Sequence, residues 1–311
     1  MGQHILHHFH FRISYKTKMS YDFKKYVPRA PGSYDKKLNR EWSILDFFLR
    51  DNTPYVNARK GDVATVNISI LKQFLTELFF LTYFWDPSDV ENPLVVIVGS
   101  GSGKHYQLLS QLFPMVEFHL YDYVEFEIEG NENIITSNAP FDPSEYENQK
   151  VYFISHIKSD DRVNDMKLQE EWISNLNLVK SMIRYDVNYV EYFDGYYLIP
   201  PWDNYSYELY LIPTNNLIKR KLDLKIIQRK LWYHYHIVVE YHNYLNIFTN
   251  DWTPYNQEKL INTRWDDTWT MSILRDYLVK MSGDDSLDQA NSLLQLIQDE
   301  LSIDIGKGKT N

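Results

Sequence analysis

The chain has 311 residues, no cysteine, and 32 basic against 42 acidic side chains, a formal net charge of −10. At 44% apolar and 24% charged it has a globular composition, and its length suits one large domain or two small ones. The lack of cysteine excludes disulfide frameworks, thiolate metal sites, iron–sulfur clusters and thiol catalysis, and net acidity leaves nucleic-acid contact only to a local basic patch.

The first segment is basic and His-rich, with His4, His7, His8 and His10 beside Arg12, Lys16 and Lys18. It has no apolar signal core and is expected to be a mobile tail rather than an export signal or a metal site. Residues 22–62 are polar and carry Pro28, Pro31, Gly32 and Pro54, so 1–62 reads as an irregular N-terminal arm. The most apolar stretch, 75–85, is broken by Thr76, Glu77 and Thr82, which predicts no membrane span.

From residue 63 onward the hydrophobic pattern becomes regular. Ile68, Leu71, Leu75, Leu78, Phe79 and Thr82 fall on one helical face. The run Leu94-Val95-Val96-Ile97-Val98 predicts a strand buried on both faces, hence part of a parallel sheet. Gly99-Ser100-Gly101-Ser102-Gly103 follows at once, then a helix over 104–113. Further strands are expected over 116–121, near 134–136 and over 151–154. The spacing of Leu168, Trp172, Leu176 and Val179 predicts a long helix over 163–184. Strands around 189–193, 196–199 and 207–212 complete an α/β domain over 63–250. Residues 251–311 predict a helical C-terminal extension and tail, with acids at Asp284, Asp285, Asp288, Asp299 and Glu300 and an amphipathic pattern that reads as cover on the core or as a docking face for a basic partner.

The glycine-rich turn is the first chemical signal. A turn between a strand end and a helix start can hold a negative ligand group on its backbone N–H groups. Asp122, 19 residues beyond Gly103 at the end of the next strand, can accept hydrogen bonds from a ribose diol. The turn lacks the full dinucleotide pattern and the Lys-Ser/Thr of a phosphate loop, so it suits phosphate-free adenosylmethionine at least as well as a dinucleotide. The other reading is a tight strand–helix junction and nothing more.

The blocks Ile70–Leu81 and Val95–His105, with Tyr121-Asp122, Phe153-Ile154-Ser155-His156, Pro200-Pro201-Trp202-Asp203, Ser206–Leu209 and Arg229–Tyr233, resemble the poxvirus-type cap-specific mRNA 2′-O-methyltransferases. These also serve as the small regulatory subunit of the poly(A) polymerase. The resemblance spans about residues 65–245. It implies a Rossmann-like fold dependent on S-adenosylmethionine, with Gly99, Ser100, Gly101, Gly103 and His105 lining the cofactor and Asp122 on its ribose. It also implies cytoplasmic work, at a viral factory or in a virion, on capped mRNA. A poly(A) polymerase, capping or transcription subunit would be the partner, and no membrane is involved. Val124 stands where the family places an arginine beside the cofactor.

The family's catalytic set is Lys-Asp-Lys-Glu, in which a lysine takes or steers the proton of a ribose 2′-hydroxyl. The resemblance places Lys72 and Glu208 at its ends, His156 at the acid and Tyr196 at the central lysine. No Lys or Arg occurs between Arg184 and Lys219, so the base is missing from the strand that should carry it. Two readings follow: an RNA-processing accessory or regulatory subunit that has lost catalysis, or an active cap methyltransferase with a modified set. The same resemblance puts Trp202, Asp203 and Tyr205 near a cap guanine, where an aromatic ring can stack on a charged base. Residues 219–230 hold Lys219, Arg220, Lys221, Lys225, Arg229 and Lys230 against Asp223 alone, which reads either as a phosphate-contacting patch or as a solvated helix face. His236 and Glu240 lack a third ligand of fitting spacing, so no metal is expected.

Overall fold

The computed structural model describes residues 68–86, 93–186, 189, 191–198, 209–214, 217–221, 264–283 and 286–301. The N-terminal arm with its histidines, the expected cap residues Trp202, Asp203 and Tyr205, Glu208, residues 222–263 and the end of the chain lie outside them.

Helix α1 (Ile68–Phe84) leads into strand β1 (Leu94–Val98), whose five side chains are all buried. Then come α2 (Tyr106–Leu112), β2 (Glu117–Tyr121), β3 (Ile134–Ser137), a 3-10 turn at Pro143–Tyr146, and β4 (Val151–Ser155). Helix α3 (Arg162–Asn175) starts at Asp161, whose carboxylate accepts the Asn164 N–H at 3.0 Å, a side-chain cap on an otherwise orphaned donor. β5 (Leu178–Tyr185), β6 (Glu191–Phe193), β7 (Gly195–Leu198), β8 (Leu209–Pro213) and β9 (Lys219–Lys221) follow, then α4 (Arg264–Ser282) and α5 (Leu287–Glu300).

Seven strands form one sheet in the order β3-β2-β1-β4-β5-β8-β7. The first five run parallel, and β8 is antiparallel to both β5 and β7. This is a mixed α/β, Rossmann-like architecture. The chain leaves β1 toward β2 on one side and returns to β4 on the other, so the β1–β4 boundary is a topological switch point. Ligands of open α/β sheets bind outside the strand carboxyl ends at such a point. β6 and β9 make a separate two-stranded pair.

One sheet face lies under α1, α2 and α4. α1 is buried nearly all round, from Phe74 to Leu81, as expected of a helix covered on two sides. α4 locks onto it through a Tyr83 hydroxyl donating to the Asp276 carboxylate and Lys280 donating to the carbonyls of Leu81, Thr82 and Trp85. Tyr277 reaches past α1 to the Leu112 carbonyl at 2.8 Å. The other face carries α3, where Trp172 meets Phe153 and Phe141 edge-on. α5 buries Ala290, Leu293, Leu294, Ile297 and Leu301 in the same core and leaves Asp288, Asp299 and Glu300 exposed, so the acidic helix is cover on the core.

Two expectations need correction. The long helix over 163–184 is really α3 plus β5: it stops at Asn175, and Leu178–Tyr185 crosses the centre of the sheet. The i, i+4 spacing of Leu176 and its neighbours runs through the break by coincidence. Residues 219–221 of the basic island are strand β9, not a helix face.

Candidate functional site

The glycine-rich turn leaves β1 at the switch point. Gly99, Gly101 and Gly103 all have positive φ, at 80°, 63° and 76°. At Gly99 the absence of a side chain is also a matter of space, because a Cβ would fall 2.9 Å from the Ile157 nitrogen and 3.0 Å from the His156 carbonyl carbon. The turn lies tight against the end of β4.

The turn's first N–H groups are not free to cradle an anion. Gly99 and Ser100 donate to the Tyr121 carbonyl at 2.9 and 3.4 Å, and Gly101 donates to Asp122 Oδ2 at 2.7 Å. Asp122 Oδ1 accepts the Val124 N–H at 3.0 Å. Asp122 therefore ties the turn to the end of β2 while remaining partly exposed, so each oxygen keeps a lone pair for a ligand. The segment after it folds back over the turn. The Glu127 N–H donates to the Ser102 carbonyl at 2.8 Å, and Phe126 and Ile128 fill the space beside Gly103. Val124, where the resemblance expects an arginine, is 52% exposed beside Asp122.

Two predicted site residues, His105 and His156, meet on a third that was not predicted. Glu77, on α1, is fully buried. Its Oε1 accepts from Tyr106 Oη at 2.6 Å, His156 Nε2 at 2.7 Å and Gln73 Nε2 at 3.2 Å, and its Oε2 accepts from His105 Nε2 at 2.9 Å. His156 Nδ1 lies 2.8 Å from the Tyr210 hydroxyl on β8. Each ring nitrogen of His156 thus has one partner within hydrogen-bond distance, Glu77 on one side and Tyr210 on the other. Burial alone would raise the Glu77 carboxyl, but the charges and hydrogen bonds of His105 and His156 outweigh it and hold the group well below the ordinary carboxylate range. Burial first, and then the Glu77 carboxylate, push the Tyr106 phenol well above its usual value. One carboxylate thus joins α1, the start of α2, the end of β4 and β8.

Both ring nitrogens of His156 are engaged, and the residue is 7% exposed. The ring presents no free nitrogen to a ligand. Lys72 is half-buried on α1, its carbonyl bonded by the Thr76 hydroxyl at 2.7 Å. Tyr196 pairs with Ile212, two residues along β8 from Tyr210, about 7 Å at strand rise, and it packs against Phe84 with ring centroids 6.4 Å apart. Lys219 bonds Glu170 at 2.8 Å and lies over the Phe193 ring. Arg220 and Lys221 follow it on β9, opposite Tyr192 and Glu191.

Glu77 was legible as a polar residue inside an apolar helix, a pattern that demands a buried partner. No sequence signal led to Tyr106 or Tyr210, because tyrosine is frequent throughout the chain. Among the described residues no group of His, Asp and Glu could hold a metal, and no helix is long and apolar enough to cross a membrane. No protein-family model and no curated protein matches the sequence.

Proposed function

We propose that the chain is a nucleoside-cofactor-binding protein of the S-adenosylmethionine-dependent methyltransferase type that has lost 2′-O-methyl transfer and serves as an accessory or regulatory subunit in mRNA processing. The observation that carries this reading is the inward placement of His156. Where the resemblance puts a catalytic acid, this chain has an imidazole with both nitrogens committed to Glu77 and Tyr210. Losing one member of a cooperative catalytic set costs orders of magnitude in rate.

The crevice itself supports the cofactor class. Glycines at the switch point, with Asp122 beside them, suit a nucleoside. The engagement of the Gly99, Ser100 and Gly101 N–H groups within the protein favours a cofactor without phosphates. The reversed strand β8 between β5 and β7 departs from an all-parallel dinucleotide sheet and, by fold-level analogy, suits a methyltransferase. Adenosylmethionine, when bound, would supply the methyl group; Asp122 would hold the ribose and the turn would approach the adenosine. Capped mRNA and a polymerase, capping or transcription subunit remain the partners that the resemblance implies.

Calorimetry with adenosylmethionine, paired with a methyl-transfer assay on capped RNA, tests the reading. The expected result is binding without turnover. Turnover abolished by Lys72→Ala would overturn the loss of catalysis in favour of an active enzyme with a modified set. Absence of binding would remove the cofactor assignment as well.

A further inference from the structure

Parallel strands are ordinarily covered on both faces, and β3 departs from that rule. β1 and β4 are buried along their whole length, whereas in β3 only Ile134 is buried. Ile135 is 50% exposed, and Thr136, which points to the opposite face, is exposed as well. β3 is the outermost strand of the sheet. The chain returns from it to β4 through the 3-10 turn at Pro143–Tyr146 rather than through a crossover helix. α3 sits farther in, with Trp172 against Phe153 of β4.

This edge is apolar and acidic at once. Tyr123 is 78% exposed just past β2, with the exposed Val124 beside it. Asn138, just past β3, donates to the Val124 carbonyl at 2.7 Å and the Asp122 carbonyl at 3.0 Å, which ties that segment to the end of β3. Ile135 pairs with His119, whose ring bonds Glu117 at 2.5 Å and the Tyr146 hydroxyl at 2.8 Å. Ile135 therefore shares a face with Glu117 and with the turn that carries Glu145. No Lys or Arg occurs between Lys104 and Lys150, a stretch that holds nine acids. Glu125, Glu145 and Glu147 among them are exposed. A single exposed apolar residue needs no explanation, but a group of them rimmed by charge marks an interaction surface.

We propose that the β2–β3 edge docks an extended, Lys/Arg-rich segment of a partner protein that also carries apolar side chains. Charge decides the kind of partner. A field of one negative sign repels RNA phosphates. A second copy meeting through the same patch would set acids against acids. A basic segment supplies the complement. Its apolar side chains would cover Val124 and Ile135, and the Tyr123 ring can also receive a cation on its face. The surface stands apart from the cofactor reading and would survive its failure.

The probe is a fluorescein-labelled peptide of about twelve residues in which lysine and valine alternate, titrated into the full chain and followed by anisotropy. Saturable binding is expected, weakened about tenfold by Glu125→Lys with Glu147→Lys and by Tyr123→Ser with Ile135→Ser, and weakened by added salt. Asp299→Lys with Glu300→Lys on α5 changes the net charge equally and should leave binding unchanged. A lysine–glycine peptide of the same length should bind more weakly. Hydrogen exchange on the unmodified chain gives a readout free of any folding defect: the peptide should slow the amides of residues 123–137. Equal losses from the α5 pair, equal affinity for the lysine–glycine peptide, or protection elsewhere would mean attraction by bulk charge and overturn the proposal. Self-association of the chain that Ile135→Ser abolishes would assign the face to a second copy and overturn it too.

Discussion

His156 Nε2 lies 2.7 Å from Glu77 Oε1, although the two residues are 79 positions apart. The contact joins the helix before the glycine-rich strand to the end of β4. With His105 on the other carboxylate oxygen, Glu77 holds both walls of the turn at once. A buried carboxylate with four donors is stable only while all of them converge on it, so the geometry of the crevice and the charge of Glu77 stand or fall together.

Glu77→Gln keeps the shape but removes the charge and turns an amide N–H₂ toward donors. Breaking a buried ionic cluster from one side costs about 3–5 kcal/mol. Tyr106→Phe removes one hydrogen bond to a charged group and should cost about 1.5–3 kcal/mol. Urea unfolding of both variants checks the order. Equal and small losses would mean that Glu77 is not the centre of the network.

The same carboxylate makes stability depend on acid. Its folded-state pKa lies well below the ordinary 4.5, so below that pH the unfolded chain binds a proton that the native chain refuses. The contribution is therefore present above about 4.5 and is lost as pH falls toward the folded value. The urea midpoint should drop between about pH 5 and 3, and less steeply in Glu77→Gln. Parallel slopes in the two proteins would assign the effect to other carboxylates.

Much of the scaffold was readable from the sequence because buried strands write themselves as β-branched runs, as at Leu94–Val98. β5 was not, because Leu178, Val179, Met182 and Ile183 also satisfy helical spacing, and only the partners across the sheet decide between the two. The site was half legible. His105 and His156 were picked out as a cofactor residue and a catalytic residue, but a sequence carries no direction for a side chain. That the two rings turn inward onto Glu77 is a consequence of packing α1 over the ends of β1 and β4.

At the alkaline end the buried phenols govern. Burial, followed by neighbouring hydroxyl and carboxylate groups, raises Tyr121 well above 10, and Tyr146 is pushed up to about 12, again chiefly by burial. Burial also raises Tyr106 and Tyr277. Each keeps its proton in the native state after the unfolded chain has lost it. Stability is then full below about pH 10 and falls as pH rises through the folded values. Phenolate absorbance should show a set of tyrosines that ionise only together with loss of circular dichroism. Ionisation of all tyrosines near pH 10 in a folded chain would contradict the burial.

The three turn glycines should not be equivalent. Alanine at Gly101 meets nothing within 4 Å, so only the left-handed backbone resists, by about 1–2 kcal/mol. At Gly103 the new methyl meets the side chains of Ile128 and Phe126, which can shift. At Gly99 it meets backbone atoms of His156 and Ile157, which cannot move without disturbing β4. Thermal melts should rank Gly99→Ala as the most damaging, then Gly103→Ala, then Gly101→Ala.

Lys280 closes the C-terminal end of α1 from another helix. Its ammonium donates to the carbonyls of Leu81, Thr82 and Trp85 at the end of the helix, where the Leu81 carbonyl also accepts the Trp85 N–H, and it lies 5.1 Å from the Trp85 ring centroid. A cation at this end also complements the helix dipole. Lys280→Met retains the aliphatic stem and strips the donors, so its effect isolates the cap from the packing. The expected loss is about 1.5–3 kcal/mol by urea unfolding, the range for hydrogen bonds to a charged group. Hydrogen exchange should rise in the last turn of α1 while the β1 amides stay protected. An unchanged midpoint would mean that water replaces the ammonium without loss, and that α4 is held to α1 by apolar contacts alone.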